Sequence, residues 1–420
     1  MSFLNRRNFI NLSAYFLSSL IVALISLMIN PFIAARLSHT DYAIIGYYAS
    51  FATLLTPLVT FSLQSFYARK YYLVDENTRK TIYDVLITLF FTIGFAVLIV
   101  FTSLYFLYHH FFADSIPLFP YAFLTFIPIW VSSFYNLYLM DLKMQGSGRK
   151  YAFISILNAV LTAMLTILLV CVWEYGAIGR LSAILISTII VSILCLISKR
   201  VQFICDFKII KEALSFSWPL VLSGVLSFFF IGIDRVLLEK LDDNISLGLY
   251  NVGFQISGYL AIFGTVLLQT YDPDLYKFTA RMEHKKVLIL CAGVVGAVLV
   301  PNLIFIACSK PIISLLTAGR YADSAMFANI LCLRNVTTTF SFIMSGVLIG
   351  YGLSKYELVN RVIGSVLSVL LYYFLISHYG FYGAAWGQSI SWLLMGIISL
   401  LCLFIFLKKN AKTKRYTSGL

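Results

Sequence analysis

Twelve stretches of about 20 mostly apolar residues follow one another along this chain, and they limit its fold more than any other feature. A helix needs about 20 such residues to cross the hydrocarbon core of a bilayer. Of the 420 residues, 60% are hydrophobic and 12% are charged, a balance that a soluble domain cannot bury. We therefore predict an all-α integral membrane protein with about 12 transmembrane helices. The predicted spans are residues 9–35, 42–66, 82–108, 116–140, 151–173, 177–198, 213–238, 245–270, 286–309, 324–351, 356–377 and 381–407.

The uneven distribution of lysine and arginine predicts how the spans are oriented. With the N-terminus placed in the cytoplasm, 23 of the 31 Lys and Arg residues fall in inside segments and six fall outside. Cytoplasmic loops of membrane proteins carry such an excess of positive charge. We therefore predict cytoplasmic N- and C-termini. The net charge of +13 is then explained by topology and contact with anionic membrane lipids, and no nucleic-acid partner is expected.

The two halves of the chain resemble each other at an offset of about 204 residues. The segment YGAIG at 175–179 opens the sixth span, and YGFYG at 379–383 opens the twelfth. An even number of spans in each copy gives both copies the same orientation, as in parallel repeats. We therefore predict two six-helix lobes. The expected N-lobe covers residues 1–200, a cytoplasmic linker covers 201–212, and the C-lobe with a basic cytoplasmic tail covers 213–420.

Charged residues within or near the predicted spans are the main candidates for a functional site. Arg334 and Arg361 lie inside spans, whereas Arg36, Asp234 and Arg235 lie near outer ends. An unpaired arginine at the centre of a membrane costs roughly 3 kcal/mol, and a guanidinium group suits phosphate oxygens. We therefore predict a cationic cavity that binds a phosphate-bearing substrate, with Arg334 as its deepest residue.

Polar residues at helical spacing extend this predicted cavity. Asn30 ends a polar stripe in the first span, and Gln255 belongs to one in the eighth. Asp234 is the one carboxylate expected to lie deep in the membrane, so a proton or sodium site is not predicted. The seven cysteines lack metal-ligand spacing, and no metal or catalytic residue is predicted.

Several segments resemble the polysaccharide-export flippases. These are NPFIAARL at 30–37 followed by DYA at 41–43, SWPL at 217–220, IDRVLL at 233–238, LGLY at 247–250 and YGFYGAA at 379–385. The chain resembles the Wzx O-antigen flippases of the MOP exporter superfamily over essentially its whole length. It departs from their pattern at Ser62, where these proteins often have glycine near the end of the second span.

The resemblance implies a transporter that works by alternating access through a V-shaped cavity between two lobes. Its substrate would be undecaprenyl-pyrophosphate carrying an O-antigen-type repeat unit, flipped across the bacterial inner membrane. Basic residues of the cavity would hold the pyrophosphate. A repeat-unit polymerase and a chain-length regulator are the expected protein partners. No cofactor is expected, and the coupling ion, if an ion gradient is used, is left open.

The main alternative is a cation-coupled small-molecule antiporter of the MATE type, which would need carboxylates within the membrane. A membrane enzyme is not favoured, because the five histidines lie in loops or at the edges of spans. The Gly-x-x-x-x-Gly-Lys motif of ATP-hydrolysing proteins does not occur.

The predicted topology can be tested by cysteine labelling. With the other six cysteines replaced, Cys205 should resist a membrane-impermeant maleimide in intact spheroplasts and react once they are opened. A Lys240→Cys variant that lacks all seven native cysteines should react in intact spheroplasts, because positive-inside counting places residue 240 outside. Labelling of Cys205 in intact spheroplasts would show that the topology is the reverse of the predicted one.

Overall fold

A computed structural model describes residues 6–112 and 116–417, and within these ranges the regular structure is helical. Residues 1–5 of the predicted N-lobe and residues 418–420 of the predicted basic tail lie outside the described residues. The helices are α1 Arg6–Arg36, α2 His39–Thr60, α3 Leu63–Lys70, α4 Glu76–Leu89, α5 Phe95–Phe112, α6 Tyr121–Met144, α7 Gly148–Thr166, α8 Gly176–Lys199, α9 Phe207–Ile231, α10 Ile233–Glu239, α11 Asn244–Ala280, α12 His284–Ala307, α13 Ser309–Leu316, α14 Ala325–Gly350 and α15 Ser354–Thr417. Short π-helical turns follow α4 and α7, at Phe90–Gly94 and Ile167–Val172.

The predicted membrane class is confirmed. Eleven helical segments of the described chain are long and apolar enough to cross a membrane. The last of them, Tyr356–Phe406, covers the eleventh predicted span and all but the last residue of the twelfth. These two spans meet at Gly380, whose φ of 53° and ψ of −130° interrupt α15.

The chain forms two compact units. The first contains residues 1–228, 242–248 and 315–320, and the second contains residues 229–241, 249–314 and 321–420. Most of α9 therefore belongs to the first unit by its contacts, whereas the sequence places it in the C-lobe. The lobe boundary at residues 201–212 stays a prediction.

Two predicted continuous spans are broken in the structure. Within the span predicted at 42–66, α2 ends at Thr60. Phe61 and Ser62 then take left-handed φ values of 47° and 49° before α3 begins. The span predicted at 213–238 is divided at Gly232, between α9 and α10. The sequence did not reveal either break, because each changes the backbone at only one or two residues of a segment that is apolar on average.

The repeated glycine segments adopt the same local structure in both halves. Gly176 and Gly380 have left-handed φ values of 54° and 53°. Three residues later, a Cβ atom added to Gly179 would lie 2.8 Å from the Leu169 carbonyl oxygen, and one added to Gly383 would lie 2.0 Å from that of Leu375. Each copy thus needs one glycine for its backbone angle and a second for close helix packing. The predicted repeat is confirmed at these positions.

Asp41 joins the start of α2 to the start of α8 in the first unit. Ser38 and Asp41 form a capping box, in which each side chain accepts a hydrogen bond from the other residue's backbone N–H. The Asp41 carboxylate also accepts the backbone N–H of Ala177 at 2.8 Å. The DYA segment of the flippase-like pattern therefore has a structural role.

Ser62→Gly tests the strain at the break between α2 and α3. A left-handed backbone costs a non-glycine residue about 1–2 kcal/mol, so glycine should raise the unfolding free energy by roughly 1 kcal/mol. The control is Ser19→Gly inside α1, which should lower it by a similar amount. Thermal unfolding in detergent measures both. A lower midpoint for Ser62→Gly would show that the serine side chain stabilises the turn.

Candidate functional site

A buried carboxylate organises the polar centre of the second unit. Asp234 lies in the first turn of α10 and is 0% exposed. Its Oδ2 accepts hydrogen bonds from the Tyr250 hydroxyl and, at 3.0 Å, from Nε2 of Gln388. Its Oδ1 lies 3.4 Å from Nη1 of Arg235. Residues of α10, α11 and α15 therefore meet at one carboxylate, which the IDRVLL and LGLY segments of the sequence help to form.

Arg235 makes hydrogen bonds and an aromatic contact with residues of the same unit. Its Nε donates to the Asn251 Oδ1 atom at 2.9 Å, and its Nη1 donates to the Ile231 carbonyl oxygen at 2.8 Å. The break at Gly232 places this carbonyl oxygen within reach. The guanidinium carbon Cζ also lies 3.8 Å from the centre of the Phe254 ring. Arg235 is only 5% exposed, so these contacts replace water as its surroundings.

Arg334 shares the Phe254 ring but has no carboxylate of its own. Its Cζ atom lies 4.2 Å from the ring centre. The residue as a whole is partly exposed, yet its Nε and Nη1 atoms are buried and have no hydrogen-bond partner among the described residues. Two guanidinium groups therefore contact one aromatic ring, and Asp234 is paired with Arg235. Of these two arginines, Arg334 carries the positive charge that no carboxylate neutralises among the described residues.

Arg334 lies in the first half of α14. The helix begins at Ala325, so Arg334 lies nine residues, or about 14 Å, along the axis. The structure thus leaves two buried guanidinium donors of a helix long enough to span a membrane without a partner among the described residues.

The other predicted arginines are paired with carboxylates in their own units. Arg361 donates from Nε to Oε1 of Glu357 at 3.1 Å, one helical turn away. Arg36 forms an ion pair with Glu174, and both side chains are more than half exposed. No described contact joins either arginine to the cluster around Phe254, which consists of Asp234, Arg235, Phe254 and Arg334.

The two predicted amide residues make local contacts. Asn30 is buried in α1, and its Nδ2 donates to the Leu316 carbonyl oxygen at 2.8 Å within the first unit. Gln255 donates to the Tyr259 hydroxyl at 3.3 Å, one turn further along α11. Their predicted roles in substrate binding remain predictions.

A polar cavity in the first unit was missed from the sequence. It has a volume of about 610 Å³, and Asp141 and Asp84 in its wall are 1% and 2% exposed. Asp141 pairs with Lys199 and accepts the Tyr67 hydroxyl at 2.7 Å. These two carboxylates are buried within the protein at the ends of predicted spans, and the expectation that Asp234 is the one carboxylate deep in the membrane stays a prediction. Asp141 lies one residue beyond the predicted fourth span, which is why the sequence placed it in a loop.

A pair of variants separates the roles of Asp234 and Arg334. Asp234→Ala should destabilise the protein by about 3–5 kcal/mol, because it leaves Arg235 as a buried charge without a partner. Arg334→Ala should change stability by no more than about 1 kcal/mol, because it removes a charge that has no carboxylate. Thermal unfolding in detergent measures both. Equal losses would show that Arg334 also holds the fold together.

Comparison with known proteins places the chain in a family. Residues 10–271, more than half of the chain, match the family model described as "Polysaccharide biosynthesis protein". The "Lsg locus putative protein 1" of Haemophilus influenzae is 25% identical over 284 residues, which cover 66% of this chain and 67% of that protein. An "Uncharacterized membrane protein" of the same organism is 21% identical over 273 residues, 63% of this chain and 64% of the relative.

Solved membrane transporters share the fold. An inward-facing multidrug resistance MATE family transporter of the MOP superfamily matches with a TM-score of 0.74 and 16% identity, over 93% of this chain and 96% of that chain. The lipid II flippase MurJ in an inward closed conformation matches with a TM-score of 0.72 and 14% identity, over 93% of this chain and 87% of that chain. The predicted MOP-like fold is confirmed. This multi-pass membrane protein belongs to the polysaccharide biosynthesis protein family.

Proposed function

We propose that this protein flips an undecaprenyl-pyrophosphate-linked oligosaccharide, an O-antigen-type repeat unit, across the bacterial inner membrane. The observation that carries the proposal is Arg334, a guanidinium group within a helix long enough to span a membrane, with two buried, unused donors. The family match to polysaccharide biosynthesis proteins and the fold shared with a lipid II flippase support the same substrate class. The localisation and the cytoplasmic position of both termini are part of this proposal.

The chemistry of pyrophosphate explains why such an arginine would be retained. A phosphate group in hydrocarbon has lost its water, and its oxygens need donors of hydrogen bonds. The Nε and Nη1 atoms of Arg334 can supply two, and charge-assisted hydrogen bonds are about twice as strong as neutral ones. Arg235 contacts the same Phe254 ring, but its charge is balanced by Asp234. A low dielectric constant strengthens the hydrogen bonds from Arg334.

Translocation needs binding that is strong enough to admit the substrate and weak enough to release it. Arg235 is neutralised by Asp234, so the cluster offers one excess charge rather than two. A single guanidinium group suits a substrate that must leave on the other side. Alternating access, with the lipid tail remaining in the bilayer, is the proposed mechanism, and no catalytic step is required.

The alternative is a cation-coupled small-molecule antiporter. The buried carboxylates Asp84 and Asp141 and the fold shared with a MATE transporter favour it. Asp141, however, already has Lys199 as an ion-pair partner. The cluster around Phe254 has an excess of positive charge, which repels cationic drugs. The flippase therefore agrees better with the charges in the second unit.

Arg334→Ala tests the proposal in a strain that lacks the native gene. Loss of the two donors should lower the rate at which repeat units reach the outer leaflet by roughly 100-fold. Lipid-linked repeat units should then accumulate on the cytoplasmic face. Arg334→Lys should restore part of the activity, because it keeps the charge but loses the planar group. Surface polysaccharide and lipid-linked intermediates are the measurements.

Arg36→Ala is the matched control, because Arg36 ends another apolar helix but its ion pair with Glu174 is exposed, so its loss leaves no buried charge. It should keep most of the activity at equal expression. Equal loss in both arginine variants would contradict a specific role for Arg334. Unchanged surface polysaccharide in the deletion strain would reject the flippase and favour small-molecule export.

A further inference from the structure

A groove of about 580 Å³ lies in the first unit, between the end of α3 and the first turns of α9. We call it the basic groove. The residues that define it are Arg69, Lys70, Lys208, Lys211, Phe66 and Phe216. Four cations line it together with one carboxylate, Glu212, so its net charge is positive.

Most of this positive charge is not neutralised by the protein. Lys70 forms an ion pair with Glu212. Among the described residues, no carboxylate forms an ion pair with Arg69, Lys208 or Lys211. The three side chains are exposed and point to the same groove. The groove is therefore complementary to an anion.

The groove also has an apolar floor and apolar margins. Phe66 is 1% exposed, and the Phe216 ring lies 4.8 Å from the guanidinium carbon of Arg69. At the margins, Leu73 is 71% exposed and Phe207 is 81% exposed. The apolar segment Phe207–Ile231, long enough to cross a membrane, begins beside the groove. Exposed apolar side chains beside exposed cations are typical of the boundary between headgroups and hydrocarbon.

We infer that the basic groove binds the phosphate headgroup of an anionic phospholipid. Guanidinium and ammonium groups bind phosphate oxygens, and basic pockets between helices on the cytoplasmic side hold anionic headgroups. Phe216 and the exposed apolar margins contact the acyl chains, whereas the buried Phe66 supports the floor of the groove. A zwitterionic lipid brings its own cation, which the groove repels. The cytoplasmic side is the one that positive-inside counting assigns to these residues.

This inference does not rest on the flippase proposal, because the basic groove shares no residue with the cluster around Phe254 that contains Arg334. An anionic lipid held there fixes the end of α3 against the start of α9. We expect the bound lipid to stabilise the first unit in a way that a bulk anion cannot, since the acyl chains add apolar contact.

Lipid binding to the purified full chain tests the inference. Native mass spectrometry and thermal unfolding are followed while phosphatidylglycerol or phosphatidylcholine with the same acyl chains is added. Wild-type protein should prefer phosphatidylglycerol. The variant Arg69→Gln/Lys208→Gln/Lys211→Gln should bind it roughly tenfold more weakly or worse. The double variant Lys208→Gln/Lys211→Gln, changed only at exposed side chains, should show a smaller loss in the same direction.

The matched control is Lys277→Gln/Arg281→Gln/Lys285→Gln, which removes the same charge from exposed residues outside the groove. It should keep phosphatidylglycerol affinity within about twofold. Equal weakening in both triple variants, or equal wild-type affinity for the two lipids, would overturn the inference. So would displacement of the lipid by inorganic phosphate, which would identify a free-anion site. Arg334→Ala should bind the lipid normally, so failure of the flippase proposal is distinguishable from failure here.

Discussion

Hydrocarbon neither donates nor accepts hydrogen bonds, and this constraint shapes nearly every element of the structure. The backbone satisfies it by forming helices, which is why the regular structure of the described chain is helical. Where a helix is interrupted, backbone groups become free to bind side chains. The break at Gly232 does this, because the Ile231 carbonyl oxygen accepts hydrogen bonds from Arg235 and Gln388.

The same constraint explains how the buried charges are distributed. Asp234, Asp141 and Glu357 each have a cationic partner within their own unit. Such pairs are costly to bury and costlier to break, so they hold neighbouring helices in one arrangement. Arg334 departs from this pattern, since its buried donors have no partner in the described chain, and one carboxylate oxygen of the buried Asp84 also lacks a partner there. A charge without a partner in a helix that can span a membrane marks a candidate site for a ligand of opposite charge.

Much of the fold was accessible from the sequence. Apolar runs predicted the spans, and paired YGxxG segments predicted the repeat, because each requires glycine at a left-handed position and at a close contact. Ser62 was noted as a departure from the flippase pattern, and its left-handed φ now gives the physical reason why glycine is common there. The breaks themselves were missed, because the hydropathy of a window of about 20 residues stays high when one or two residues leave the helical conformation.

The candidate site was only partly predictable. The sequence identified Arg334, Arg235 and Asp234 as unusual, because charge in an apolar run is visible without a structure. It did not show that Asp234 is held by Tyr250 and Gln388, or that both arginines contact Phe254. Nor did it show that Arg361 and Arg36 are neutralised by Glu357 and Glu174.

The sequence by itself therefore determined the membrane class, the number of spans and the residues that are expensive to bury, since each depends on local composition. Only the tertiary structure decided which of those charges are paired. Pairing depends on distances between side chains from separate helices, and one-dimensional periodicity carries no information about those distances.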